Sequence, residues 1–182
     1  LIALTSTSPD ALRAYLAGLH AVRRGKCCTP SEARQHFERA LSLDSMFALA
    51  GLSLMGIAPG RMPELEGRSR RDASWRLRDE LSVADRALLD AYIGAKYPQY
   101  PTRAEFIQAA QRATWAAPHR LEAWRVAGAS FFRFGPMIGY PAWEARASEA
   151  LQHALALDST DALTLKQLIR LAAVTGDRAE VQ

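Results

Sequence analysis

ALSLDS, residues 40–45, returns almost unchanged as ALALDS, residues 154–159. The likeness extends upstream: ARQHFERALSLDS (33–45) and ASEALQHALALDS (147–159) each place an Ala, a large apolar residue four positions on, and a second Ala three further. Such an echo across more than a hundred positions is expected of a repeated structural unit, in which the same helix end and the same turn are written twice.

Working outward, the dominant periodicity is helical and strand-like alternation is hardly visible. PDALRAYLAGLHAVRRG sets Leu12, Tyr15, Leu16, Leu19 and Val22 at spacings of three and four, with Gly25 placed to end the helix. SEARQHFERALSLD puts Ala33, Phe37, Ala40 and Leu41 on one face, with Ser31 as the expected N-cap after Pro30. A second pair begins at MFALAGLSLMG and closes with DASWRLRDEL, after a loop marked by Pro59, Gly60 and Pro63. A third runs from SVADRALLDAYIGAKY, where Ser82 and Asp85 form a capping-box pattern, to RAEFIQAAQRATWAA. A fourth joins LEAWRVAGASFFRFG to AWEARASEALQHALAL, and ALTLKQLIRLAAVTGD opens a fifth. The pairs start near 11, 48, 85, 121 and 162, intervals that bracket the mid-thirties.

The fourth pair resembles the tetratricopeptide repeat. Trp124, Ala127, Gly128 and Phe131 occupy the first half of that pattern, Gly135 ends its helix, and Ala147, Leu151, Ala154 and Ser159 fill the second half, with Ser159 where Pro is usual. In the first pair Gly18, Gly25, Ala33, Phe37, Ala40 and Ser45 match, although Ala14 and Ala17 stand in for the Trp and Leu. The third supplies Phe106, Ala110, Ala113 and Pro118, and the fifth Gly176 and Asp177 at its turn. The resemblance implies an all-α fold of antiparallel helix pairs stacked as a right-handed superhelical solenoid. The close approach of paired helices is also expected from the residues themselves. Gly18, Gly128, Ala33, Ala40, Ala147 and Ala154 are small, while Phe37 and Leu151 fill the space between.

The opening TSTSPDALRAYLAGLHAVRRG with ARQHFERALSLDSMFALAGLS also resembles the repeat regions behind an N-terminal signalling domain in bacterial eukaryotic-like serine/threonine kinases and in winged-helix or adenylate-cyclase-type regulators. On that reading residues 1–9 are a linker tail, 10–182 the repeat domain with its last pair truncated, and the chemistry lies in another part of a larger bacterial protein. The interrupted fifth pair is then expected to leave a sticky end. A soluble regulator keeps the segment in the cytoplasm, the favoured compartment, whereas a kinase with a membrane span before its repeats places it outside.

Composition bounds the function classes. The 182 residues are 49% hydrophobic, as in an ordinary folded domain, and no apolar run reaches the roughly 20 residues of a membrane span. The net charge of +4 rests on Arg, with Lys only at 26, 96 and 166, and favours acidic partners. The densest basic stretch, RSRRDASWRLR at 68–78, reads as a solvated helix face. His20, Cys27, Cys28 and His36 fall in one helix pair, but adjacent cysteines are not the spacing of structural zinc sites, so neither metal nor cofactor is expected. Carboxylates at Glu32 and Glu38, Asp79 and Glu80, and Asp85 and Asp90 show no apolar setting suited to acid–base work, and no nucleophile elbow, phosphate loop or kinase motif is present. Catalysis by this segment is not expected.

Partner binding is. Aligned with tetratricopeptide arrays, whose first helices line a concave groove, the resemblance implies a surface of Tyr15, Leu19 and Arg23 in the first pair, Arg125, Phe132 and Arg133 in the fourth, and Lys166 and Arg170 in the fifth. Arg beside aromatic rings suits a partner of acidic or mixed character. The chain has no Asn, which departs from the Asn-containing clamp used for terminal carboxylates. The apolar stretch SFFRFGPMIGYPAW, 130–143, is either a lid, through Met137, Ile138 and Tyr140, or an insert packed on its own helices. Two alternatives remain beside protein binding: nucleic-acid binding through the Arg-rich 68–78 helix, and a structural spacer or self-association segment.

Overall fold

The computed structural model describes residues 6–23, 30–57 and 64–176, and among them is all-α. Its helices are α1 (Pro9–Arg23), α2 (Pro30–Leu43), α3 (Ala48–Ile57), α4 (Glu64–Arg76), α5 (Val83–Ile93), α6 (Arg103–Ala116), α7 (Leu121–Phe134), α8 (Trp143–Leu157) and α9 (Ala162–Thr175), with short 3-10 turns at Arg78–Glu80 and Pro136–Ile138. The chain divides into two compact units, Leu1–Leu89 and Asp90–Gln182. Consecutive helices pack within each: α1 on α2, α2 on α3 and α3 on α4 in the first, α6 on α7, α7 on α8 and α8 on α9 in the second.

The two hexapeptides fold alike, bond for bond. After α2 the Asp44 N–H donates to the Ala40 carbonyl (2.9 Å), the Phe47 N–H to the Asp44 carbonyl (3.1 Å), and the Met46 N–H to Asp44 Oδ1 (3.0 Å). After α8 the Asp158 N–H donates to Ala154 (3.1 Å), the Asp161 N–H to Asp158 (3.2 Å), and the Thr160 N–H to Asp158 Oδ1 (2.9 Å). The next helix starts four residues beyond the aspartate in both cases, at Ala48 and Ala162. Both aspartates use the carboxylate as a local acceptor for a backbone donor that the turn would otherwise leave open. A third copy of the backbone pattern follows α6, where Ala117 donates to Ala113 (2.9 Å), Arg120 to Ala117 (3.0 Å), and α7 begins at Leu121. Here no aspartate marks it, so the sequence echo does not extend to this turn.

Helix pairing follows the small residues. A Cβ placed on Gly18 would lie 2.5 Å from Phe37 Cε1, and one on Gly128 would lie 2.6 Å from Leu151 Cγ, so each glycine admits a large side chain of the partner helix against bare backbone. Ala33, Ala40, Ala147 and Ala154 are buried as well, and Phe37 and Leu151 are fully enclosed. In the first unit the Tyr15 ring completes the cluster, 5.7 Å from Phe37 and 4.9 Å from Phe47. Buried Ser6 donates from Oγ to Asp44 Oδ2 (2.5 Å), so the packed structure reaches back into the stretch expected to be linker. Ser8 caps α1, accepting from the Ala11 N–H (3.3 Å), with Pro9 as the first helical residue.

α3 is apolar all round and correspondingly sunk, with Ala48, Leu49, Ala50, Gly51, Leu52, Leu54 and Ile57 buried. The helix expected at DASWRLRDEL starts earlier and stops sooner: α4 spans Glu64–Arg76, and the 3-10 turn takes Arg78–Glu80. α2 begins at Pro30 rather than after Ser31, because proline's fixed φ and missing N–H suit the first turn. Gly25, the expected stop of α1, and the Pro59, Gly60 and Pro63 loop lie outside the described residues. The Ser82–Asp85 pattern is half a capping box: Ser82 Oγ accepts from the Asp85 N–H (3.1 Å), but that hydroxyl also donates to Asp85 Oδ2 (2.6 Å).

The second unit is built around Ile107, Phe131, Ala147, Leu151, Leu168 and Leu171, with Phe132, Phe134, Tyr140, Trp143 and Leu155 packed against them. The Phe106 and Phe134 rings stack at 5.2 Å, and Trp124 stacks on His153 at 3.8 Å while its indole N–H donates to the Pro118 carbonyl (2.8 Å). α6 carries a complete capping box: Thr102 Oγ1 accepts from the Glu105 N–H (3.2 Å), and Glu105 Oε2 accepts from the Thr102 N–H (2.8 Å). The Lys96 ammonium, 2.8 Å from Glu105 Oε1, and these Thr102 donors hold the Glu105 carboxyl at about 2, below its ordinary 4.5. A depressed carboxyl pKa contributes stability above about 4.5, which is lost as pH falls through about 2. An NMR titration is therefore expected to give a Glu105 midpoint near 2 and faster amide exchange in the first turn of α6 across that window. A midpoint at the ordinary carboxyl value would show that the box does not persist in solution.

Candidate functional site

In the second unit, the geometry that presents a surface starts at the N-terminus of α9. Asp161 is its N-cap, accepting from the Thr164 N–H (2.9 Å) and the Thr164 hydroxyl (2.5 Å). The same carboxylate receives Arg125 of α7, whose Nη1 lies 3.2 and 3.1 Å from its two oxygens. The two side chains are only 8% and 5% exposed, which makes this a buried ion pair and separates it from the surface pairs elsewhere. Burial works against the guanidinium charge, but Tyr92, Asp161 and Glu122 outweigh it and hold the Arg125 pKa above its ordinary value. Beside it, desolvation pushes the Tyr92 phenol up, with Arg125 pulling the other way. The cluster offers no exposed nucleophile. It ties the start of α9 to α7 and so orients the rest of α9.

The residues expected to line a groove separate into interior and surface positions. Arg125 and Tyr15 are corrected to interior positions: Arg125 is committed to Asp161, and Tyr15 packs between Phe37 and Phe47. Both sit on helix faces where apolar or ionic partners within the fold compete successfully for them. Phe132 is half-buried with its ring 6.4 Å from Trp143, and Leu19 is half-buried on α1. Arg23, Arg133, Lys166 and Arg170 are exposed. The Arg133 guanidinium lies 5.2 Å from the Phe134 ring. Among the described residues neither Lys166 nor Arg170 has an ion-pair partner. Asp161, which fixes the geometry, carried no sequence signal beyond its place just before a helix, and its Arg lies 36 residues away.

The 130–143 stretch is divided. Tyr140 packs edge-on against Phe131 at 5.3 Å, and its N–H donates to the Gly135 carbonyl (2.9 Å), whereas Met137 and Ile138 stand 61% and 39% exposed. A Cβ on Gly135 would lie 2.4 Å from the Phe131 carbonyl oxygen and from Trp143 Cβ, so this corner requires glycine although its φ of −52° is ordinary. Tyr140 thus anchors the insert to the helices that flank it.

The remaining candidates carry little chemistry. Leu16, Ala17, His20 and Ala21 of α1 with Glu32 and His36 of α2 line an open depression of about 340 Å³. Cys27 and Cys28 lie outside the described residues, and among the described residues no three His, Cys, Asp or Glu side chains group to hold a metal ion. Glu38 is gripped by Arg34 (2.9 Å) and Arg70; burial alone would raise its pKa, but the two guanidinium groups bring it below the ordinary value. Arg78 lies 4.3 Å from the Trp75 ring centroid, so part of the 68–78 basic stretch is turned to internal contacts. No described helix is long and apolar enough to cross a membrane. No protein-family model and no curated protein matches this sequence, so its own surface chemistry speaks for its function.

Proposed function

We propose that the chain is a non-catalytic protein-interaction module of the tetratricopeptide type, its helix pairs stacked as a right-handed solenoid, serving a larger bacterial signalling or regulatory protein. Support for the repeat comes from the thrice-used turn and from the matched Gly18–Phe37 and Gly128–Leu151 contacts. The observation that carries partner binding is the exposed cationic set Arg133, Lys166 and Arg170, which has no carboxylate partner among the described residues; Lys166 and Arg170 lie on a helix with apolar side chains open to solvent. Cations left unneutralised beside apolar surface suit a partner that brings both carboxylates and apolar groups. Nucleic acid is the weaker reading, because Arg70 and Arg78 of the basic stretch serve Glu38 and Trp75.

The test compares the chain as bait in a cell extract at moderate salt with an Arg133→Glu, Lys166→Glu, Arg170→Glu variant. Arg125 stays untouched, since its reversal would place two carboxylates together in the interior. A protein retained only by the unaltered chain, with both forms melting alike, is the expected result. Equal retention, or none by either form, would move the function to another surface or to a spacer.

A further inference from the structure

The start of α6, the end of α7 and the start of α8 lie together at one end of the second unit. Phe106, in the first turn of α6, stacks on Phe134, the last residue of α7, at 5.2 Å, and Phe132 lies 6.4 Å from Trp143, the first residue of α8. The residues leading into α6 expose Tyr100, and the 135–142 corner exposes Met137 and Ile138 and contains no charged residue. Tyr140 holds that corner against Phe131, so its apolar tip is presented on a fixed support. Helices pack side by side here, α7 on α8 and α8 on α9, so a further helix packed on α9 would continue the row and leave these helix ends open. The charges at this end are mostly of one sign. Arg103 opens α6, Arg133 lies in the last turn of α7 and Arg146 is the fourth residue of α8, with Glu144 as the opposing charge. All three arginines are exposed, and none has a carboxylate partner among the described residues. Arg103 and Arg146 stand at helix N-termini, where the backbone dipole opposes a positive charge, so the fold itself gains nothing from cations there.

Resting on the interaction-module reading, we propose that this end of the second unit is the docking surface for an acidic segment of a partner protein that carries an apolar anchor. The partner's carboxylates face Arg103, Arg133 and Arg146, and its apolar side chains pack against Met137 and Ile138. Charge complementarity decides the occupant. A second copy docked through the same end would set arginines against arginines. A phosphate backbone would meet the arginines but leave Met137 and Ile138 in water.

The test uses the full chain and three short, labelled peptides followed by fluorescence anisotropy at physiological ionic strength, where distant charges are screened. The first places Glu and Ser around a central Leu-Phe pair, the second replaces its Glu by Lys, and the third replaces the Leu-Phe pair by Ser. The first is expected to bind about tenfold more tightly than either of the others. Arg103→Glu with Arg146→Glu should abolish its advantage over the Lys peptide, and Met137→Ser with Ile138→Ser its advantage over the peptide without the anchor. Melting should be unchanged in both variants, because all four side chains are exposed. Lys166→Glu with Arg170→Glu, on α9, should leave the preference as it is. The inference is overturned by equal binding of the Glu and Lys peptides, by a preference that survives reversal of Arg103 and Arg146, or by one lost on reversal of Lys166 and Arg170 alone. It is also overturned if no peptide binds, including the case in which phosphatidylserine vesicles bind instead, or if sedimentation shows a dimer that the Glu peptide does not disperse. A partner captured from extract through Arg133, Lys166 and Arg170, with no peptide bound, would sink this inference and leave the module reading standing.

Discussion

Asp161→Ala is expected to lower the stability of the second unit by about 3–5 kcal/mol. The substitution strips Arg125 of its carboxylate at a site where the guanidinium is nearly inaccessible to water, and it removes the cap from the Thr164 N–H and hydroxyl. An unpaired buried charge is the costly term; loss of the cap adds about 1 kcal/mol. Arg125→Met with Asp161→Leu should recover most of the loss, because a buried ion pair exchanged for apolar groups of similar volume is close to neutral. Urea unfolding of Asp161→Ala and of the double variant measures this. A single-variant loss below about 1 kcal/mol would mean that the pair is solvated, as surface pairs are.

Phe37→Ala is expected to cost about 3–5 kcal/mol in the first unit, since an enclosed ring is removed from contact with Tyr15 and the bare backbone of Gly18. Gly18→Ala should cost about 1–3 kcal/mol by driving its methyl into that ring. The two changes should be strongly non-additive, because once the ring is gone the added methyl enters the cavity instead of colliding. Additive losses by thermal melting would show that the two helices do not close around this contact. Gly128 and Leu151 form the corresponding contact in the second unit and predict the same pattern there.

Much of the helical architecture was legible because it rests on local periodicity. The starts expected near 11, 48, 85, 121 and 162 fall within two residues of the observed starts at Pro9, Ala48, Val83, Leu121 and Ala162. The two glycines expected to let helices close, Gly18 and Gly128, are the ones that meet Phe37 and Leu151. The Thr102–Glu105 capping box was also legible as a Thr followed three residues later by Glu, and reading the third pair by its apolar face alone passed over it. α4 was misplaced because a polar helix such as ELEGRSRRDASWR has no apolar stripe to mark its start.

The site residues divide along a different line. An Arg on a helix reads the same from sequence whether it meets water or a carboxylate from another helix, so Arg125 and Arg133, eight residues apart on α7, were indistinguishable until their neighbours were known. The sequence by itself determined the helices that carry an apolar face, the repeated aspartate turn and the glycine positions, because propensity, periodicity and capping act within a few residues along the chain. Only the tertiary structure decided that Asp161 takes Arg125 out of solution and that Leu165, Ile169, Lys166 and Arg170 stay on the surface. Burial and ion pairing depend on which distant residues arrive at the same place.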